Sequence, residues 1–459
     1  MARVLASAAF CGDFGMDRTL DGKSGARKPW AMRIDGVGWV SRVGLLVAVG
    51  VVAARVAAAD APDSQRALQD LRAWLRVPRG ERGAVGAERF AAVGLTRKDA
   101  GTAADLLWND RLEGLRESRR AEVEARTIEQ SGKKLRWEVV RFGPADTVPK
   151  GGRSLFISMH GGGGAPARVN DSQWTNQVRL ARGYAPKEGI YVAPRGPTDT
   201  WNLWHEAHID GMFARLIEDY VALESVNPNR VYLMGYSAGG DGVYQLAPRM
   251  ADWWAAAAMS AGHPNETQPF GLRNVPFALQ VGGQDSAYRR NQIAVEWGEK
   301  FKALRAADPG GYEHLVKVPP TKGHWMDLED RVAIPWMEER SRQPLPTRVA
   351  WRQDDILHPR FYWLAVTLDQ ARAGQQVAAV REGQAVRIEA SDVKRLIVRW
   401  NDDMADLDQP VRVTLSDPPM TLHEGTVIRT IGMLGKTLEE RGDRNLMFSG
   451  ESEVVIPVP

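Results

Sequence analysis

Arg230-Val231-Tyr232-Leu233-Met234-Gly235-Tyr236-Ser237-Ala238-Gly239-Gly240-Asp241-Gly242 changes from strand chemistry to helix chemistry across one serine. Residues up to Tyr236 are apolar and β-prone, and those after Ser237 are small and lead into the helix-compatible run Val243 to Met250. Gly235 to Gly239 is thus a G-x-S-x-G frame in a strand–turn–helix context, the setting that holds a serine in a sharp turn with its hydroxyl exposed. Small flanking residues are needed because strand and helix backbones nearly touch there. A serine capping a helix after an ordinary glycine-rich turn has the same local pattern, so Ser237 is a nucleophile only if partners reach it from elsewhere in the chain.

The candidate partners stand in the right order. Ser154 to Met159 reads as a strand and ends in His160-Gly161-Gly162-Gly163-Gly164, where glycines let a backbone N–H point at a developing oxyanion beside the N–H of the residue after the nucleophile. The donors are then Ala238 with Gly161 or Gly162, and His160 steers the loop. Neither G-x-x-x-x-G-K-[ST] nor a helix-opening G-x-G-x-x-G occurs, which removes the phosphate-cradling reading. Asp285 lies just past the strand Phe277 to Val281, and His324 just past the strand Leu315 to Val318. Nucleophile, acid and base follow one another along the chain as a parallel sheet with its site at the carboxyl ends of its strands requires. His324 takes the proton of Ser237 and Asp285 orients the imidazole in this reading. Asp241 is too near Ser237 on the same helix, His314 precedes its strand, and His263 follows a strand where no base is expected.

His205-Glu206-Ala207-His208 resembles a zinc motif, but its histidines are three apart rather than four and the helix begins after them, so no metal or other cofactor is expected. Trp174, Trp201, Trp204 and Trp325 fall at the strand-end face. Trp201, Asn202, Trp204 and Trp325 are the candidate substrate contacts, core packing being the competing use of each indole.

Organisation follows from periodicity. Residues 133–344 alternate strands with helices, including Gln173 to Tyr184 and Ile209 to Leu223, and read as a mostly parallel, helix-flanked α/β sheet. Residues 60–132 read as a helical N-terminal region, with Leu68, Leu71 and Leu75 at helical spacing. After Pro344-Leu345-Pro346, residues 347–459 contain short alternating runs and read as a C-terminal all-β domain of small-sandwich type. Its Trp351, Trp363 and Trp400 could anchor a polymer or pack a core.

At 459 residues, 44% apolar and 25% charged, the chain has a globular composition. Residues 1–59 hold eight Lys/Arg against four Asp, so the net +3 is a property of the leader and the remainder is near −1. Nucleic-acid binding loses its compositional support. Arg33 and Arg42, the apolar run Val43 to Ala54 and the small residues up to Ala59 match a secretory signal, with Met32 as expected initiator and cleavage near Ala59. That run is too short for stable membrane insertion. The single cysteine, Cys11, lies upstream, so the expected mature chain has neither disulfide nor thiolate nucleophile.

Taken together, His160 to Gly164, Trp201-Asn202-Leu203-Trp204, Arg230-Val231-Tyr232, Gly235 to Gly240 and Gly323-His324 resemble the α/β-hydrolase superfamily, and within it the secreted feruloyl esterases and polyhydroxyalkanoate depolymerases. The resemblance covers about Lys133 to Arg342. It implies a secreted serine esterase with Ser237, Asp285 and His324 as triad, acting on a small-molecule or polymeric ester. Thr200 stands where that branch often carries cysteine. A prolyl-oligopeptidase-type peptidase uses the same triad, though no propeller-like repeat is visible, and a non-catalytic polymer-binding protein on the same fold is the alternative of another class. Oligomeric state is not readable from the chain.

Overall fold

The computed structural model describes residues 61–144 and 147–457. The leader, with the expected start at Met32 and cleavage near Ala59, lies outside the described residues. Among those described, no helix is long and apolar enough to cross a membrane.

The chain enters through α1 (Ala61–Arg76) and α2 (Arg97–Ala125), then forms β1 (Thr127–Gln130), β2 (Lys133–Phe142), β3 (Arg153–Met159), α3 (Ala167–Tyr184), β4 (Gly189–Arg195), α4 (Ala207–Glu224), β5 (Val226–Tyr236), α5 (Ala238–Arg249), β6 (Ala256–Ser260), β7 (Phe277–Gln280), α6 (Arg290–Ala307), β8 (His314–Lys317) and α7 (Ala333–Glu338). Eight strands pair in the order β1-β2-β4-β3-β5-β6-β7-β8. β2 runs antiparallel to both of its neighbours and the rest of the sheet is parallel. This is the α/β-hydrolase sheet, and it bears out the fold class read from the alternation of strands and helices. The hairpin strand β1 was not foreseen, because Thr127 to Gln130 continues a polar helical pattern until β2 offers it a partner.

The period of two along each strand divides the core. Leu155 and Ile157 of β3 and Val231 and Leu233 of β5 point to the face covered by α4, α5 and α6. Phe156, Tyr232 and Met234 point to the other, under Tyr184 of α3 and Ile334 and Met337 of α7. With both faces covered, β4 is buried along its whole length, as parallel strands usually are.

The remaining chain forms β9 (Arg348–Arg352), β10 (Arg360–Phe361), β11 (Leu364–Ala365), β12 (Gln376–Glu382), β13 (Ala385–Ser391), β14 (Arg395–Trp400), β15 (Val411–Leu415), β16 (Met420–Gly425), α8 (Ile431–Arg441) and β17 (Gly450–Val455). Its strands build a five-stranded sheet, β16-β15-β13-β12-β9, and a four-stranded one, β10-β11-β14-β17. Helix α8 is an addition to the β-rich reading. Its Ile431, Leu434 and Leu438 pack with Leu68 and Leu71 of α1 and Ala103 and Leu107 of α2, which gives the helical N-terminal region a partner distant in sequence. Trp351, Trp363 and Trp400 are buried in one apolar cluster that runs from Ile128 to Ile456, so in this structure they pack a core rather than face solvent.

Candidate active site

Ser237 sits between β5 and α5 at φ 58°, ψ −121°, a left-handed region costly for a residue with a Cβ, of order 1–3 kcal/mol. Its backbone is tied down: its N–H donates to Ser260 O at 2.9 Å, and its carbonyl accepts from the Asp241 N–H at 3.0 Å. Gly239 shows why the frame needs glycine, since a Cβ there would lie 2.1 Å from Met159 O. Helix α5 is buried along its entire length, which only its small first turn permits.

The loops after β7 and β8 close on the serine. His324 Nε2 lies 3.0 Å from Ser237 Oγ, and His324 Nδ1 lies 2.7 Å from Asp285 Oδ2. A carboxylate accepts only, so it holds the proton on Nδ1 and leaves Nε2 to accept from the serine. Asp285 is 3% exposed, whereas the His324 side chain is 44% exposed. The two loops are laced together by Gln284 N–H to Lys322 O at 2.8 Å and Gly283 N–H to Pro319 O at 2.8 Å. Buried Tyr236, the variable residue before the serine, donates from its hydroxyl to His324 O at 2.7 Å and accepts from the Met326 N–H at 3.0 Å. Sequence reading passed over Tyr236 because its partner lies 88 positions away.

The glycine loop faces the same serine. A Cβ on Gly161 would stand 3.1 Å from Ser237 Cβ, and Gly162 takes φ 104°, a conformation that favours glycine. Asn170 of α3 props this loop, accepting from the Gly163 N–H at 2.9 Å and donating to Asp199 Oδ1 at 2.8 Å. Ala238 opens α5, where first-turn N–H groups have no partner inside the helix. His160 is fully buried. Its Nε2 accepts from the Gly196 N–H at 3.1 Å, so its Nδ1 is the donor to Gly161 O at 2.5 Å. Burial lowers its pKa to about 4 and keeps the ring neutral.

The tryptophans divide. Trp201 is 57% exposed and Trp325 47% exposed, one beside the glycine loop, where Gly163 meets its carbonyl, and one beside His324, tilted on Tyr236 at 5.5 Å. Asn202 is half-buried next to Trp201. Trp204, by contrast, is fully buried: its Nε1 donates to His160 O at 2.8 Å and its ring meets His160 edge-on. It is a prop for the glycine loop and not a substrate contact, a correction to the sequence reading. Trp174 likewise donates to Ala193 O. His205 packs edge-on to Trp201 and lies before α4, while His208 lies on that helix beside Glu206.

Asp241, set aside as an acid, is 3% exposed and accepts from the His263 N–H at 2.6 Å. Burial lifts its pKa from 3.8 to about 6 against the opposing pull of that N–H and of Arg290. A carboxyl raised in the folded state costs stability once ionised, a cost that grows from the unfolded value of 3.8 up to about pH 6 and is complete above it. Asp241→Asn keeps an acceptor for His263 and removes that cost, up to roughly 3 kcal/mol. The variant is expected to melt at higher temperature than the wild type at pH 8, with the gap closing toward pH 4. Equal melting temperatures at pH 8 would refute this.

No family model matches the chain. Among curated proteins, "Putative esterase NocK" of Nocardia uniformis subsp. tsuyamanensis is 30% identical over 162 residues, which are 33% of this chain and 46% of that protein. The chain thus spans about half the length of the curated relative it matches. Among solved structures it is similar to a thermostable esterase at 18% identity, covering 47% of this chain and 62% of that one, TM-score 0.35. A feruloyl esterase module from Clostridium thermocellum complexed with sinapinate is 16% identical over 47% of this chain and 88% of that one, TM-score 0.33. A fluorophosphonate-binding serine hydrolase of Staphylococcus aureus is 15% identical over 46% of this chain and 96% of that one, TM-score 0.32.

Proposed function

We propose that the chain is an exported serine hydrolase that cleaves carboxylic esters through an acyl-enzyme. The observation that carries this reading is the continuous contact from Ser237 Oγ through His324 to Asp285, at 3.0 and 2.7 Å, under a strained serine. Ser237 Oγ attacks the ester carbonyl and passes its proton to His324 Nε2, and Asp285 stabilises the imidazolium that forms. The N–H of Ala238 with that of Gly161 or Gly162 receives the oxyanion. As the carbon–oxygen bond to the alcohol breaks, His324 returns the proton to the leaving oxygen. Water then enters by the same route and releases the acid.

Trp201 stands exposed beside the glycine loop and Trp325 exposed beside Tyr236, with Asn202 next to the first. These are the proposed substrate surfaces, suited to flat or apolar groups of a small or polymeric ester. A fluorophosphonate probe is expected to modify Ser237 in the folded protein, and aryl, feruloyl and polyester substrates to turn over where peptide amides do not. An unmodified Ser237 after exposure to the probe would overturn the proposal, and preferential peptide cleavage would move it to the peptidase reading.

A further inference from the structure

Arg290 is placed where an arginine is costly. It is the first residue of α6, so its charge sits at the positive end of the helix dipole. Two consecutive non-glycine residues in left-handed conformation, Tyr288 at φ 52° and Arg289 at φ 59°, set it there. Its side chain is only 11% exposed, and its Nε is buried with no hydrogen-bond partner. Against these costs stand two contacts. Its Nη1 lies 3.5 Å from Asp285 Oδ1, the carboxylate oxygen that does not bond His324, and its guanidinium lies 4.9 Å from the ring of Tyr288. Tyr288 is itself 75% exposed and forms the outer cover of the arginine. Among the described residues, the ion partners of Asp285 are His324 and Arg290.

We propose that Arg290 is a positioning residue for the reaction, a fixed cation that holds Asp285 in register with His324 and offsets part of its charge. The inference rests on the triad reading above. Its chemical consequence is electrostatic. With Arg290 in place part of the Asp285 charge that faces the imidazole is offset, and its removal is therefore read in the pH profile of the reaction. Other groups face this pair too. Asp241 of α5, held by the His263 N–H, feels the charges of Arg290 and His324. Tyr236 approaches from β5 with its hydroxyl bonded to His324 O, buried Asp330 acts on it through its charge, and Lys322 and Asp327 of the histidine loop pair with each other at 2.7 Å. All of these are unchanged in the variants below.

The test is the pH dependence of kcat/KM on an aryl ester for Arg290→Met and Arg290→Lys. Arg290→Met is expected to lower kcat about tenfold with little change in KM, and to move the acid limb upward by half a pH unit or more. Arg290→Lys, which keeps the charge, is expected to return the limb most of the way. Tyr288→Ala opens the arginine to water and should move the limb in the same direction by less, which keeps the inference testable if Arg290→Met does not fold. A loss of activity equal at every pH, or a limb that Lys does not restore, would overturn the inference. Failure of the triad reading is distinguishable, because there the fluorophosphonate probe leaves Ser237 untouched in the wild type.

Discussion

Ser237→Ala is expected to abolish turnover of a short aryl ester, with kcat falling on the order of 10⁶-fold. The size follows from how the three side chains act as a unit. Without Oγ there is no acyl-enzyme, His324 Nε2 has no proton to take, and the 2.7 Å contact with Asp285 orients an imidazole with nothing to activate. What survives is the proposed oxyanion loop, with Ala238 and the Gly161-Gly162 turn, and such a loop alone gives roughly 10³- to 10⁴-fold over water. The substitution is mild for the fold. Ser237 is only half-buried, its Oγ is bonded to His324, and its backbone bonds to Ser260 and Asp241 do not involve the side chain. A variant that retains activity within tenfold of the wild type, with an unchanged melting curve, would remove Ser237 from the reaction. Asp285→Asn at normal stability is the companion measurement, since it tests the tautomer of His324 without touching the nucleophile.

What could be read from the chain alone was the chemistry carried by short segments. The elbow frame, the glycine turn after β3, and the proposed acid and base past β7 and β8 are each a few residues long, and their spacing along the chain already followed strand ends. The structure brings Ser237, Asp285 and His324 together as that spacing implied. Trp201 and Trp204 show where such reading stops. Both lie in one four-residue turn, and their opposite fates are decided by His160, whose carbonyl captures the Trp204 indole N–H. Arg290 and Asn170 had no signal of their own. An arginine five positions after an aspartate is unremarkable until two left-handed residues turn it back toward the carboxylate. The same holds for α8, whose apolar stripe is short and whose partners, α1 and α2, lie more than 300 positions upstream.

The second large effect concerns how the β-rich region is attached. Asp252, in the turn after α5, is 4% exposed and gathers arginines from distant elements: its Oδ2 accepts from Arg360 Nη1 at 3.3 Å and Arg441 Nε at 3.2 Å, and its carbonyl accepts from Arg342 and Arg441. Arg342 also pairs with Asp443 at 2.5 Å, and Arg441 lies over the Trp253 ring at 3.2 Å. Burial, reinforced by Arg360 and Arg342, pulls Arg441 down to about 9 even though Asp252 and Asp443 act to raise it. Asp252→Ala strips the counter-charge from Arg360 and Arg441, and breaking a buried pair from one side typically costs about 3–5 kcal/mol. Urea unfolding at pH 7 should show that loss in one cooperative transition, because a single apolar cluster runs through both regions. The pH dependence has a definite sign. Burial would raise the Asp252 carboxyl, but Arg441, Arg360 and Arg342 overcome it and hold it below the usual 3.8, as Arg342 and Arg441 do for Asp443. A depressed carboxyl stabilises the fold above its unfolded value and loses that contribution as pH falls through the folded one. The gap between wild type and Asp252→Ala should therefore be full at pH 7 and narrow only below about pH 4. A variant as stable as the wild type at pH 7, or two separate transitions of which only one moves, would show that the arginine cluster does not couple the two regions.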